Sequence, residues 1–293
     1  MEQLVQIFFA GIVSGALYAS LALSLVLVHR TTGVINFAQG EMAMLSTYIC
    51  LTLIEAGCTY WIAFGFTVVI SYVYAAAIER LVMRRFRGRN HLVEVIVLMG
   101  LLVTISSVAG AVWGYNVRSF PSPFGDAAFE LLGFHFRRHD VGALAVTLVT
   151  LALVFAFFRF TMVGLAMRAC AQNSASSRLC GISVSWMLSA GWGLAGAVGA
   201  VSGMMIAPVV FLDPGMMTGT LTYAFAAALL GGVSSPIGAV VGGLIVGIAE
   251  CAVIALMPTI GSELKLTFAL LLIVSVLLVF PQGLFGQRTA VRV

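Results

Sequence analysis

Charged residues are scarce in this chain of 293 residues, since only 9% are Asp, Glu, Lys or Arg. Hydrophobic residues make up 61% of the sequence, and the mean hydropathy is +1.10. A water-soluble protein of this length could not hide so much apolar surface in its interior. The composition therefore excludes a soluble globular fold. It predicts an all-α, multi-pass membrane protein with a single transmembrane domain over residues 1–293.

Lysine is almost absent, because Lys265 is the single lysine of the chain. Leu264 precedes it, so the sequence has no Gly-Lys-Ser/Thr run, the phosphate-binding element of P-loop ATPases. The HExxH pattern of zinc proteases and the GxSxG pattern of serine hydrolases are missing too. We therefore expect no enzyme activity and no cofactor in this chain. If its function uses ATP, another polypeptide binds the nucleotide.

Cysteine and histidine are few and form no metal-binding or disulfide pattern. The cysteines are odd in number and include no CxxC pair; they are Cys50, Cys58, Cys170, Cys180 and Cys251. His135 and His139 are four residues apart, but Arg137 and Arg138 lie between them, and two cations disfavour a third. The sequence predicts a solvated loop at these histidines.

Apolar runs predict a bundle of eight or nine transmembrane helices. The first run is long enough to span a bilayer and lacks a basic region before it, which indicates a retained helix rather than a signal peptide. The seventh run is short for a core that needs ~20 residues, so we expect a re-entrant or tilted helix that breaks at Gly231-Gly232. The predicted spans are 4–28, 36–56, 60–82, 92–113, 141–159, 187–211, 221–233, 237–257 and 265–280.

The distribution of basic residues predicts the orientation. Eleven of them fall on one side of the predicted spans: Arg30, Arg80, Arg84, Arg85, Arg87, Arg89, Arg159, Arg168, Arg178, Arg288 and Arg292. Arg118, Arg137, Arg138 and Lys265 fall on the other side, together with Asp126, Glu130, Asp140, Asp213 and Glu263. Basic residues concentrate in cytoplasmic loops. We therefore expect an outside N-terminus and a cytoplasmic C-terminus.

Small residues recur at four-residue spacing on three of the predicted helices. The rows are Gly11-Gly15-Ala19, Ala195-Gly199-Gly203, Gly238-Gly242 and Gly243-Gly247. Such rows let two helix backbones approach closely in a membrane. They predict a tightly packed bundle.

Polar residues at membrane depth mark a possible substrate path. Asn36, Gln39 and Glu41 stand at the start of the second predicted span, and Glu250 lies within the eighth. Buried polar groups are costly unless they face protein or water. Glu41 is either an interfacial carboxylate that reaches water or pairs with Arg30, or a residue lining the inner end of the path. Glu250 either lines the path or forms a hydrogen bond between helices.

The glycines Gly231 and Gly232 add a second element to the candidate path. Ser234, Ser235 and Pro236 follow them, and this combination cannot continue a straight helix. Broken helices in membranes are tolerated where they are buried in protein or line a cavity.

The loop over residues 159–186 has three arginines and no acidic residue, which places it in the cytoplasm. Its middle, 167–179, is rich in Ala, Ser, Gln and Arg and predicts a short amphipathic helix that ends before Gly181. A helix presented in this way is typical of a docking element. We expect it to receive the force of a separate ATPase.

Three motifs together resemble those of one family, the permeases of branched-chain amino acid ABC importers of the high-affinity type. They are INFAQGEMAML at 35–45, RACAQNSASSRLCGISV at 168–184 and LLGGVSSPIGAVVGGLIVGIAE at 229–250. The similarity covers essentially the whole chain. The motifs are less specific for substrate, since relatives transport other hydrophobic or aromatic amino acids, amides or urea.

The resemblance implies a set of partners in a bacterial inner membrane: a second, related permease chain, two cytoplasmic ATPase subunits that bind ATP and Mg²⁺, and a periplasmic solute-binding protein. It implies no nucleic acid. Carried onto this chain, the ATPase-coupling loop comprises Arg168, Ala169, Ala175, Leu179, Gly181 and Ile182. One feature departs from the family, because residues 172–177 contain none of the acidic residues that such loops often have.

An ion-coupled secondary transporter of a small amphipathic solute is the alternative function. Glu250 and the break at 231–236 are features that such a carrier could use. The cytoplasmic loop at 159–186 would then have no purpose.

Overall fold

The computed structural model describes residues 2–88, 90–125, 127–131, 134–256, 265–280 and 282–286. Its helices are α1 (Glu2–Thr32), α2 (Gln39–Glu55), α3 (Tyr60–Ile78), α4 (Arg84–Phe86), α5 (His91–Trp113), α6 (Arg138–Phe160), α7 (Met162–Gln172), α8 (Ser174–Leu179), α9 (Val184–Val210), α10 (Met217–Gly231), α11 (Pro236–Leu256) and α12 (Lys265–Val279). A π-helical turn, Glu79–Met83, joins α3 to α4, and the strands β1 (Ala128–Leu131) and β2 (Phe134–Arg137) form an antiparallel hairpin.

Each of the nine predicted spans coincides with a helix. Among the described residues, six helical segments are long and apolar enough to cross a bilayer: Val5–Thr32, Tyr60–Phe86, His91–Trp113, Arg138–Phe160, Val184–Val210 and Pro236–Ala255. The other three helices, α2, α10 and α12, have 17, 15 and 15 residues. The all-α membrane architecture is confirmed.

Helices α1 and α9 form the centre of the bundle, because they are the most buried of the long helices, whereas most of α3, α5 and α6 faces outward. Helix α1 contacts α9, α10 and α11. Serine hydroxyls pair across the centre, with Ser20 Oγ 2.5 Å from Ser202 Oγ. A hydrogen bond within the apolar interior satisfies both hydroxyls and fixes the register of α1 against α9.

The predicted small-residue rows all lie at helix contacts. Gly11 and Gly15 face α11, where a Cβ added to either glycine would lie 2.8 Å from the Cα of Ile248 or Leu244. Because Gly11 meets Ile248 and Gly15 meets Leu244, the two helices run antiparallel. The row Ala195-Gly199-Gly203 faces α2, and Gly238-Gly242 faces α10. The prediction of a tightly packed bundle is confirmed.

The basic residues that were predicted to be cytoplasmic lie at one end of the bundle, where the structure describes them. Arg30, Arg159 and Arg168 line one cavity, and Arg80 and Arg84 line another beside Trp186. We call this the basic end. Glu55, Arg118 and Leu212 meet at the opposite end. Several residues used in the orientation argument lie outside the described part of the chain: Arg89, Asp126, Glu263, Arg288 and Arg292.

The prediction of one continuous helix over 167–179 is wrong. The structure has two helices there, α7 and α8, separated by Asn173, whose backbone is extended at φ −152° and ψ 100°. The Asn173 carboxamide oxygen accepts a hydrogen bond from the Ser176 backbone N–H at 3.0 Å. Asparagine stabilises a helix start in this way. Helix α7 also begins earlier, at Met162, where the Thr161 hydroxyl accepts from Gly164 N–H.

The solvated loop predicted at the histidines is wrong. His135 lies in β2, and His139 lies in the first turn of α6 with 5% of its surface exposed. The His139 ring nitrogens lie 2.9 Å from Ser122 Oγ and 3.0 Å from the Met205 carbonyl oxygen. The side chain therefore fastens the segment before β1 and the start of α6 to α9, a contact that residue spacing does not reveal.

Candidate functional site

Helix α2 begins inside the bundle. Its first residue, Gln39, donates a hydrogen bond from Nε2 to the Ala195 carbonyl oxygen at 3.0 Å. Ala195 is eleven residues into α9, and a helix rises about 1.5 Å per residue, so this contact is about 16 Å from the α9 start. Residues 33–38, which connect α1 to α2, are not helical. The chain therefore returns from the basic end into the interior before α2 starts.

Asn36 and Gln39 hold this non-helical segment in place. Both side chains are fully buried. Asn36 Nδ2 donates to Gln39 Oε1 at 3.0 Å, and Asn36 Oδ1 accepts from Ala38 N–H at 3.1 Å. Non-helical backbone at membrane depth is tolerated only where protein or a water-filled path satisfies it. The Asn36 side chain forms a hydrogen bond with part of this backbone, and the Gln39 side chain bonds to Asn36 and to α9. The sequence predicted that polar residues at this point face protein or water.

Glu41 is buried in the first turn of α2 with 6% of its surface exposed. Its Oε2 atom has no hydrogen-bond partner, and no ion pair with Arg30 is found within the described residues. The burial of Glu41 favours the interpretation as a residue that lines the path over the interfacial one. The free oxygen is left able to accept a hydrogen bond from a bound molecule.

Glu250 lies at a different place, between α1, α10 and α11. It is 6% exposed, and the Tyr18 hydroxyl donates to its Oε2 at 2.7 Å. The Tyr18 and Tyr223 rings stack with centroids 4.9 Å apart. Of the two roles predicted for Glu250, the hydrogen bond between helices is the one observed. Tyr223 is on α10, whose residues Met217 and Leu221 pack against Gly40, so α10 separates Glu250 from the α2 start.

The predicted break at Gly231-Gly232 is confirmed, and it lies at the basic end. Helix α10 ends at Gly231, and Gly232 has φ +100°, a conformation that side chains disfavour. Two backbone N–H groups satisfy the last carbonyls of α10: Leu284 donates to Leu230 O at 2.7 Å and Phe285 to Gly231 O at 3.0 Å. The break is thus closed by the chain itself. Val233, which follows it, lines a small cavity together with Ile35, the residue before Asn36.

Residues of the predicted coupling loop form an exposed surface at the basic end. Ala175 and Gly181 are exposed, and the Leu179 side chain is 91% exposed. Gly181 has φ +79°, and its N–H donates to Arg178 O while Ile182 N–H donates to Ser177 O, both at 3.0 Å. This pair of bonds with a left-handed glycine is a Schellman motif, which ends α8 and returns the chain to α9.

Arg168 and Ala169 differ from the rest of the coupling loop. Both are partly buried on α7, and Arg168 lines the cavity that also contains Arg30 and Arg159. We define residues 171–181, which are exposed except for Ser177, as the coupling segment. Leu179 lies on this segment with 91% of its surface exposed.

A buried carboxylate that the sequence argument missed connects α3 to α9. The Glu79 side chain, in the π-helical turn, is fully buried and accepts hydrogen bonds from Arg87 and from the Ser189 hydroxyl. Arg84 Nη2 lies 3.8 Å from it and also donates to the Ser185 carbonyl oxygen at 3.3 Å. The signal in the sequence was a single acidic residue beside the basic cluster that begins at Arg80.

Replacing Arg87 with alanine is expected to destabilise the chain by about 3 kcal/mol, because removing one partner of a buried ion pair leaves the other charge uncompensated. Arg84 remains near Glu79 and keeps the loss at the lower end of the usual range. The thermal midpoint of the purified chain in detergent measures the effect. Arg85→Ala is the matched control, since Arg85 is exposed; equal midpoints for the two variants would contradict the assignment.

Comparisons with known proteins decide the family. The model of the family described as "Branched-chain amino acid transport system / permease component" matches residues 7–277. The chain belongs to this family. The resemblance seen in the three motifs at 35–45, 168–184 and 229–250 is thereby confirmed, and so is the assignment to amino-acid transport permeases.

Relatives of this permease are similar over nearly their whole length. The high-affinity branched-chain amino acid transport system permease protein LivH of Salmonella typhimurium is 30% identical over 98% of this chain and 97% of its own. The protein BraD of Pseudomonas aeruginosa, with the same description, is 26% identical over 100% and 98%. The probable branched-chain amino acid transport permease protein LivH of Methanocaldococcus jannaschii is 27% identical over 94% and 90%.

Among solved structures, a chain of PsaBC from Streptococcus pneumoniae in complex with Fab superposes with a TM-score of 0.49. The two chains are 12% identical over 92% of this chain and 89% of that one. A likeness of this degree supports no conclusion about function.

Proposed function

We propose that this permease is the membrane-spanning subunit of an ATP-binding-cassette importer that translocates branched-chain or related hydrophobic amino acids. The observation that supports this most strongly is the match to the permease family over residues 7–277, together with relatives described as branched-chain amino acid permeases. The largely apolar helices suit the side chains of leucine and valine. Their charged amino and carboxyl groups need polar contacts within the path.

The energy for transport comes, in this proposal, from partner subunits. The chain has no phosphate-binding Gly-Lys-Ser/Thr run, so two cytoplasmic ATPase subunits bind ATP and Mg²⁺, and this chain is not an enzyme. A second, related permease chain completes the membrane domain, and a periplasmic solute-binding protein delivers the substrate. The similarity to high-affinity transport-system permeases supports this division of labour.

The proposed location is the bacterial inner membrane, with the basic end in the cytoplasm and the N-terminus outside. The charge distribution supports this orientation, since Arg30, Arg84, Arg159 and Arg168 gather at one end. We propose nine crossings, in which successive apolar helices connect alternate ends of the bundle. Helix α2 makes its crossing together with the non-helical residues 33–38.

The substrate path passes the start of α2 in this proposal. Asn36, Gln39 and Glu41 gather there, about 16 Å along α9 from its first residue. Helix starts inside a membrane protein are suited to binding a carboxylate, while the free Glu41 oxygen is suited to the ammonium group of the same amino acid. Glu250, Gly231 and Gly232 act instead as packing elements around this path.

Transport proceeds by alternating access. The ATPase dimer closes on ATP and pushes the coupling segment, and α7 and α9 transmit that movement to the helices. Three observations support the assignment: the exposure of Leu179, the fixed return of the chain at Gly181, and the connection of α9 to α3 through Glu79.

Uptake of radiolabelled leucine into proteoliposomes tests the proposal. The vesicles contain this chain, the partner permease and the ATPases. ATP is supplied on the side of the membrane that the ATPases face, and the binding protein is added. We expect ATP-dependent uptake that excess unlabelled isoleucine or valine suppresses and that excess lysine leaves unchanged. Suppression by lysine and not by isoleucine would contradict the substrate class.

The Glu41→Gln variant, in the same vesicles, tests the path. A neutral amide keeps the size of the side chain but attracts an ammonium group less, so the apparent KM for leucine is expected to rise about tenfold, the equivalent of about 1.4 kcal/mol. Glu94→Gln is the control, because Glu94 lies in the first turn of α5, at the basic end of the bundle and away from the path. An unchanged KM in Glu41→Gln would exclude this carboxylate from the path.

A further inference from the structure

Three arginines from three helices line one groove at the basic end. Arg30 lies in the last turn of α1, Arg159 in the last turn of α6, and Arg168 in α7. The cavity they border has a volume of about 380 Å³. Its remaining walls are apolar and include Leu23, Leu151, Phe155, Phe158, Ile237 and Val240.

The positive charges of these arginines are uncompensated by the chain. No ion pair within the described residues involves any of the three. The Arg168 Nε atom is buried and has no hydrogen-bond partner. The whole stretch 159–186 contains no acidic residue. Like charges that converge without a counter-ion repel one another, so the site is suited to an anion.

The groove changes from apolar to basic along the helix axes. Leu23 precedes Arg30 by seven residues and Leu151 precedes Arg159 by eight, so at about 1.5 Å per residue the apolar part extends roughly 10–12 Å deeper than the arginines. The groove also opens outward, because Phe155 is 57% and Ile237 58% exposed. Phe155 lies on α6 and Ile237 on α11. Both helices are apolar, and less than half of each is buried inside the bundle.

We propose that this groove binds an anionic phospholipid from the leaflet at the basic end. The phosphate lies against Arg30, Arg159 and Arg168, and an acyl chain follows the apolar wall between α1, α6 and α11. Basic pockets between membrane helices recognise acidic lipid headgroups in this way. A free anion has no use for the apolar wall, and an acidic peptide could not leave its backbone unsatisfied at that depth.

The bound lipid connects α7 to the bundle. Arg168 is on the helix that leads directly into the coupling segment, whereas Arg30 and Arg159 are on spanning helices. A phosphate shared by all three removes their mutual repulsion and holds α7 against α1 and α6. The lipid therefore sets how rigidly the coupling segment is attached. The binding step itself is independent of the transport proposed above.

The test is lipid retention by the purified full-length chain. The protein in mild detergent is titrated with phosphatidylglycerol or, separately, with phosphatidylcholine of identical acyl chains, and bound lipid is counted by native mass spectrometry. We expect one tightly held phosphatidylglycerol and no equivalent phosphatidylcholine. Each Arg→Gln change is expected to weaken binding about fivefold, and the triple variant on the order of a hundredfold, since each basic residue near an acidic lipid surface contributes similarly.

Control variants separate this site from general electrostatics. Arg85→Gln removes the same charge from an exposed position of the basic end outside the groove and is expected to retain the lipid. Arg159→Gln is measured alone as well, because Arg159 is exposed and its change does not threaten folding. Equal phosphatidylglycerol retention by wild type and Arg159→Gln, or an equal loss in Arg85→Gln, would overturn the proposal. Displacement of the lipid by equimolar inorganic phosphate would also overturn it, in favour of a simple anion site.

Discussion

Ala175→Glu is expected to lower ATP-driven leucine uptake by at least about thirtyfold, the equivalent of about 2 kcal/mol at the centre of a protein interface. Ala175 is exposed on α8, in the middle of the coupling segment, and Leu179 lies one turn further on. A glutamate there would place an unpaired charge in the contact with the ATPase, and burying such a charge is costly. Ala175 is exposed, so folding is expected to be unaffected.

The matched control is Ala175→Ser, which keeps the size of the side chain and adds no charge. Uptake by this variant is expected to stay near that of wild type. Gly181→Val supplies an independent variant, because valine is disfavoured at φ +79° and would alter the return of the chain into α9. Gel-filtration profiles confirm folding in each case. Wild-type uptake by both Ala175→Glu and Gly181→Val would contradict the proposal that the coupling segment contacts the ATPase.

Gly15→Leu is expected to abolish the folded permease altogether. Gly15 lies against α11, where even a Cβ would be 2.8 Å from Leu244 Cα and 2.9 Å from the Gly243 carbonyl oxygen. These are backbone atoms, which cannot rotate out of the way as a side chain can. Overpacking a close contact costs about 1–3 kcal/mol when neighbours adjust, and α1 is central to the bundle. The yield of monodisperse protein after detergent extraction measures the effect.

Gly100→Leu is the matched control for that experiment. Gly100 is also an interior glycine of a long apolar helix, α5, but no heavy atom lies within 4 Å of a Cβ added there. Its yield and thermal midpoint are expected to stay near those of wild type. Similar losses in the two variants would show that any glycine in these helices is needed for insertion, and would contradict a specific contact between α1 and α11.

The positions of the helices followed from hydropathy because a backbone inside a membrane must satisfy its polar groups internally, so apolar runs of this kind require a helix. The small-residue rows were also readable, since close packing without a hydrophobic driving force depends on them. Asn36, Gln39 and Glu41 were noticed for a local reason, as polar residues between apolar runs. All three signals are contained within one helix or its immediate flank.

Contacts between distant residues could not be read in the same way. Gln39 bonds to Ala195, Glu79 to Ser189, and Tyr18 to Glu250; none of these pairs follows from spacing. The same limitation explains the errors. The buried position of Glu79 was missed because its partner Ser189 is distant in the sequence. The split at Asn173 was missed because the alanines on either side outweighed one capping residue.

The measurement that tests the central claim most directly compares two driving forces for leucine uptake. Proteoliposomes that contain this chain with its partner permease and ATPases are supplied with ATP and binding protein and no ion gradient. Vesicles that contain this chain alone receive a sodium or proton gradient and no ATP. The account expects uptake in the first set, lost when any one component is omitted, and none in the second. Gradient-driven uptake by the chain alone, with no response to ATP in the full set, would contradict it and indicate an ion-coupled carrier.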